Sequence, residues 1–178
     1  VGGMVQAHAG RSTVHTGGEV HVSSGEGTAT SSGAITIRSV NAGAAGTSGY
    51  LSFSSGSSVT GNSGFIHMGT GVATAGRGGM VLISVGSGTS SVGGMVQAHA
   101  GRSTVHTGGA VVVTSGEGTA TSSGVVLIRS SNSGEAGVSG SLLFSSGTSV
   151  TGNSGRVHMG TGAATAGRGG AVVVTTAE

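Results

Sequence analysis

The chain has 178 residues, of which 40 are glycine, and it lacks proline, cysteine and tryptophan. Charged residues make up 7% of it, and the net charge of +2 is carried by arginines that are spread singly along the sequence. Because there is no basic cluster, no cysteine and no stretch of ~20 apolar residues, we expect no nucleic-acid partner, no disulfide and no membrane insertion.

The composition does not fit an ordinary globular core or a disordered segment. Only four residues are aromatic, Tyr50, Phe53, Phe65 and Phe144, so large side chains cannot fill a broad interior. Disordered chains usually combine high charge with low hydropathy, whereas the mean hydropathy here is +0.26. The regular recurrence of small and β-branched residues therefore predicts thin, repetitive layers.

The chain consists of two versions of a 91-residue unit. Residues 2–18 recur unchanged at 93–109, an offset of 91 residues. We place the first unit at 1–91 and the second at 92–178. Together they predict one continuous repeat architecture. Val1 corresponds to Val92 in the middle of a repeat, so we expect a mature product or a piece of a longer array.

Each unit divides into repeats of 15 or 16 residues that share one glycine. These glycines are Gly3, Gly18, Gly33, Gly49, Gly64, Gly79, Gly94, Gly109, Gly124, Gly140, Gly155 and Gly170. If this glycine is repeat position 2, position 4 is always aliphatic and position 6 is apolar, as in Ile35 and Ile37. Alternate apolar positions are typical of a strand with one face inward. Position 9 is usually glycine, which predicts a turn with positive φ or a close approach to a neighbour.

A second stretch of each repeat carries a β-branched residue at position 12, and we interpret it as a second parallel strand. Position 12 is valine at Val59 and Val150 and threonine at Thr13, Thr28, Thr74, Thr89, Thr104, Thr119 and Thr165. The sequence thus predicts an all-β fold, a two-sheet parallel β-solenoid of about twelve coils of 15–16 residues. Glycines would lie at the corners of the coils.

The two units differ mainly at positions 3 and 5, which the predicted strands turn outward. Position 5 of the second unit is largely aliphatic, and exposed apolar stripes usually mark contacts. We therefore predict that this face packs laterally against another molecule. The predicted lateral interface comprises Val112, Leu127, Leu143, Val173 and Val125, with Tyr50, Phe65 and Met80 in the first unit.

Residues with catalytic or metal-binding chemistry are few. The seven histidines have no cysteine or aspartate beside them to complete a metal site. Glu26 and Glu117 hold equivalent positions 91 residues apart, so they do not form an acid–base pair. No arrangement of serine, histidine and a carboxylate stands out. We expect no enzyme activity, no catalytic or metal site and no cofactor.

Two families resemble the chain. Motifs at Ser31–Gly33 and Ser122–Gly124, each followed by alternating aliphatic residues, resemble Gly/Ser/Thr-rich β-solenoid repeats of secreted or cell-surface microbial proteins. That resemblance implies an extracellular or cell-surface scaffold. The Thr-x-Thr pairs at 28–30 and 119–121 are more weakly similar to the ice-binding rows of solenoid antifreeze proteins.

The sequence thus predicts a glycine-rich structural protein that forms or lines an extracellular filament or cell-surface array. Its mechanism would be end-to-end stacking of coils together with lateral packing of the apolar face. The first alternative is an ice-binding solenoid that uses the threonines at position 12. The second is a glycan-binding adhesin rod, because hydroxyl groups are abundant.

Overall fold

The computed structural model of the chain describes residues 2–176, and within them no residue belongs to a helix or a strand. Cis peptide bonds and positive φ angles do not occur among these residues. The chain separates into two compact units, Val1–Ser84 and Val85–Glu178. Regular structure in each unit consists of bends and locally closed loops rather than sheets.

The bends follow the sequence repeat. They recur 15 or 16 residues apart, at 13–15, 28–30, 44–45, 59–61, 74–76, 89–91, 104–106, 119–121, 135–137, 150–152 and 165–167. The 16-residue repeats form hydrogen-bonded turns here, because the amides of Gly46 and Gly137 donate to the carbonyl oxygens of Gly43 and Gly134 at 3.3 and 3.4 Å. The repeat therefore specifies where the backbone changes direction.

Each bend lies inside a closed loop that runs from position 8 of one repeat to position 2 of the next. In four loops the position-2 glycine donates its amide to the position-9 carbonyl oxygen. The pairs are Gly18 to Gly10 at 2.8 Å, Gly33 to Gly25 at 3.0 Å, Gly109 to Gly101 at 2.9 Å and Gly124 to Gly116 at 2.9 Å. The predicted positive φ at position 9 is wrong, whereas the predicted close approach occurs at these four glycines.

The position-2 glycine is needed where the two ends of the loop meet. A β-carbon on Gly64 would lie 3.3 Å from Cβ of Ser55, and one on Gly140 would lie 3.3 Å from Cβ of Ser130. Those separations are tighter than ordinary van der Waals contact, so a side chain at position 2 would push the loop ends apart. The recurrent glycine therefore closes loops within the chain.

The predicted two-sheet parallel β-solenoid is wrong, and so is the solenoid fold implied by both family resemblances. A parallel sheet needs a ladder of backbone hydrogen bonds between neighbouring strands. The described residues instead make isolated bonds within single loops, such as Gly18 to Gly10. Alternation of side chains specifies which residues share a face but does not pair backbones, and glycine weakens strands through its conformational entropy.

The described residues form no buried core. Gly27, Gly118 and Ser130 are partly buried, and every other residue between 2 and 176 is exposed. A folded monomer of 16.6 kDa has an accessible surface of ~7,600 Å². This chain exposes 17972 Å², so its apolar side chains remain largely in contact with solvent. The predicted burial of positions 4 and 6 is therefore wrong for the single molecule.

Candidate association surface

Exposure of the apolar side chains still varies with repeat position. From the second repeat onward, the position-4 aliphatic residues are 46% to 62% exposed, whereas the large apolar residues at positions 3 and 5 are 72% to 89% exposed. Adjacent residues show the contrast, since Leu142 is 48% exposed and Leu143 is 87% exposed. Each repeat therefore shelters one side of its apolar segment and presents the other.

The predicted lateral-interface residues all lie on the presented side. Their side chains are among the exposed large hydrophobic groups of the chain, namely Val112, Leu127, Leu143, Val173, Val125, Tyr50, Phe65 and Met80. The single molecule covers none of them to the degree that it covers position 4. Their role as an interface stays a prediction, and their accessibility satisfies its first requirement.

The threonines at position 12 have a shared location. Each is the first residue of a bend, as Thr28 is in 28–30 and Thr119 is in 119–121. The other members of the set behave alike, at Thr13, Thr74, Thr89, Thr104 and Thr165. These hydroxyls lie on bends, whereas a flat threonine row requires a sheet. Ice binding therefore stays a prediction without a sheet to support it.

Serine hydroxyls shape four of the bends. Oγ of Ser12 accepts the amide of His15 at 2.9 Å, and Oγ of Ser103 accepts the amide of His106 at 2.9 Å. In the fourth repeat of each unit, Ser58 accepts the amide of Gly61 at 2.9 Å, and Ser149 accepts the amide of Gly152 at 3.0 Å. Serine side chains commonly form such local turns with nearby backbone amides. Position 11 of these repeats is therefore a bend-forming site.

Glycine replaces serine at position 11 of the second repeat type, for a steric reason. A β-carbon on Gly27 would overlap the carbonyl group of Ser31 and lie 3.1 Å from the Thr30 oxygen. Gly118 stands in the same relation to Ser122. Both glycines are partly buried in an otherwise exposed chain. This loop is thus the most tightly closed of the repeat types.

One shallow cavity of about 210 Å³ is lined by Arg129, Ser130, Ser131 and Asn132. Pockets that enclose small molecules usually measure ~300–1,000 Å³. The guanidinium, hydroxyl and amide groups here can donate hydrogen bonds, but the cavity is too small and too shallow to enclose a sugar ring. The glycan-binding alternative stays a prediction that this cavity does not strengthen.

The structure does not bring the histidines and glutamates together. Within residues 2–176, no three of these side chains lie close enough to hold a metal ion. No helix in the same range has the length and apolar character that crossing a membrane requires.

The chain matches no family model, no curated protein and no solved structure. The resemblance to β-solenoid repeats therefore has neither a family match nor a strand among the described residues to support it, and it is wrong. Any functional conclusion has to come from the surface itself.

Sequence reasoning missed the local loop closure. The signal was present in the strict recurrence of glycine at position 2 and of small residues at position 8, such as Ser24, Ser55 and Ser146. Small residues at both positions let two backbone segments approach closely. We interpreted this pattern as coil corners, whereas it marks the points where a loop meets its own start.

Proposed function

We propose that this chain is a self-associating structural segment of an extracellular filament or cell-surface array. Its function is to pack against other molecules of the same chain through the exposed apolar segments at positions 3 to 6. The observation that carries the proposal is the accessible surface of 17972 Å², more than twice that of a folded monomer of this mass.

The amount of surface is sufficient for several contacts. The excess over a folded monomer is ~10,000 Å², whereas a stable protein–protein interface buries ~800 Å² on each partner. Burial of apolar surface contributes about 25 cal/mol per Å². Association therefore supplies the hydrophobic stabilisation that the single molecule lacks.

The charge distribution favours contact between identical chains. With 7% charged residues and a net charge of +2, electrostatic repulsion between molecules is weak. The apolar segments recur every 15 or 16 residues and again after 91 residues. Two molecules of this chain therefore present the same spacing of apolar segments to each other. The extracellular or cell-surface location is part of the proposal and rests on the Gly/Ser/Thr-rich repeat composition.

Sedimentation velocity over a wide range of concentrations tests the proposal. We expect the mean mass to exceed 16.6 kDa and to rise with concentration, and we expect negative-stain images to show assemblies. A mass that stays at that of one chain at every concentration, with only dispersed monomers in the images, would contradict the proposal.

Two matched sets of substitutions test whether the apolar segments are responsible. The first set changes four position-4 valines to threonine: Val20→Thr, Val96→Thr, Val126→Thr and Val157→Thr. The control set makes the same change at or beside bends: Val14→Thr, Val59→Thr, Val105→Thr and Val150→Thr. We expect the first set to weaken association strongly and the control set to leave it nearly unchanged. Equal effects would show that the apolar segments have no special role.

A further inference from the structure

One five-residue segment occurs twice in the second half of the chain. Residues 110–114 and 171–175 both read Ala-Val-Val-Val-Thr. Neither segment contains a charge, a proline or a glycine. Short uncharged segments of this kind, rich in β-branched residues, pair readily with identical segments of other chains.

Both segments are accessible for pairing. Their valines are all exposed, with Val112 and Val173 more exposed than the residues before them. Among the described residues, neither segment takes part in a backbone hydrogen bond, although Gly109, directly before the first, donates to Gly101. The amide and carbonyl groups of both segments therefore lack a partner within the described chain.

The corresponding segments elsewhere differ in a consistent way. Residues 19–23 of the first unit read Glu-Val-His-Val-Ser, which places a charge and a titratable ring between the valines. The apolar segment 125–128 is followed directly by Arg129. Charges within or beside an apolar segment oppose pairing between chains, because pairing would bring like charges together and remove them from water.

We propose that molecules of this chain join by pairing residues 110–114 or 171–175 of one molecule with either of the same segments in another. This inference rests on the proposed self-association and names the contact that starts it. Identical segments place valine against valine on both sides, which allows dry interlocking of the side chains. The unused backbone groups of each segment supply the hydrogen bonds between molecules. The partner is therefore a second molecule of this chain.

Exchange of residues between the two units tests the inference. The loss variant introduces the first-unit residues into both segments: Ala110→Glu, Val112→His, Ala171→Glu and Val173→His. We expect the concentration at half-association to rise at least tenfold. The gain variant makes the reverse exchange, Glu19→Ala with His21→Val, and we expect it to associate at a lower concentration than the unchanged chain.

A charge-matched control separates segment pairing from a general effect of added charge. It places the same residue types at or beside bends: Ala120→Glu, Ala164→Glu, Val105→His and Val150→His. We expect association close to that of the unchanged chain. If the loss variant and this control associate equally, the pairing inference is wrong while the proposed self-association stands. If the unchanged chain stays monomeric, both are wrong.

Oxidative cross-linking locates the contact directly. The chain has no cysteine, so one introduced cysteine is unique. Val112→Cys should form disulfide-linked dimers in the associated state, because residues 112 of paired segments lie opposite each other. Val150→Cys, at a bend, should form few. Equal yields from the two variants would overturn the inference.

Discussion

The amide of Gly33 donates a hydrogen bond to the carbonyl oxygen of Gly25 at 3.0 Å, and this bond closes a loop that contains Gly27. A β-carbon on Gly27 would overlap the carbonyl group of Ser31, whereas one on Gly25 would meet nothing within 4 Å. The two glycines of one loop therefore differ in their tolerance of a side chain. The same relationship recurs 91 residues later, with Gly118 facing Ser122.

The first prediction concerns this loop. We expect Gly27→Ala to open it, because forcing a methyl group into occupied space typically costs about 1–3 kcal/mol. Hydrogen exchange of the Gly33 amide, measured by NMR, should become at least about fivefold faster, since about 1 kcal/mol corresponds to that factor. Gly25→Ala is the control and should leave the rate nearly unchanged. Equal rates in the two variants would contradict the assigned loop geometry.

The second prediction concerns the bend at 13–15. Ser12→Ala removes the hydroxyl that accepts the His15 amide at 2.9 Å. A neutral hydrogen bond contributes about 0.5–1.5 kcal/mol, so exchange of the His15 amide should become about two- to tenfold faster. Ser12→Thr keeps a hydroxyl acceptor and should retain most of the protection. A rate in Ser12→Thr as fast as in Ser12→Ala would show that the hydroxyl does not hold the bend.

The sequence predicts the period of the backbone but not its pairing. The glycine column correctly marks a periodic structure, because each position-2 glycine, such as Gly18, meets position 8 of the preceding repeat. The alternation also predicts the order of exposure, as in Leu142 and Leu143. Neither pattern states whether neighbouring backbones form a ladder, since side-chain alternation is a property of one segment and a sheet is a property of two.

The location of a binding surface could be predicted only in part. Comparison of the two units singled out Leu127 and Leu143 as apolar residues on the side now found to be exposed. The open state of the backbone at 110–114 could not be predicted, because it depends on which amides the loops use. Local hydrogen bonds of the Gly18–Gly10 type involve glycines that carry no side-chain signal for their partners.

The third prediction tests position 5 outside the paired segments. Leu143→Ser introduces the residue that the first unit has at Ser52, and we expect it to raise the concentration at half-association. Burial of a leucine side chain contributes about 1.5–3 kcal/mol, so the increase should be at least about tenfold if the residue is fully covered in the assembly. Sedimentation equilibrium measures it.

Val150→Ser is the control for this prediction. Val150 is 100% exposed and lies in a bend, so the two residues are similarly accessible in the single molecule. We expect no more than a small change for Val150→Ser. An equal weakening by both substitutions would mean that association depends on total hydropathy rather than on the apolar segments.

The fourth prediction concerns the force that drives association. Because 7% of the residues are charged and the exposed segments are aliphatic, we expect hydrophobic burial to dominate. Such association weakens on cooling and strengthens in sulfate, which is excluded from protein surfaces. Sedimentation in the cold and at room temperature, with sulfate and chloride compared at equal ionic strength, measures both effects. Ion pairing would give the opposite salt response, since added chloride would screen the charges and dissociate the assembly; that outcome would rule out the aliphatic segments as the main source of affinity.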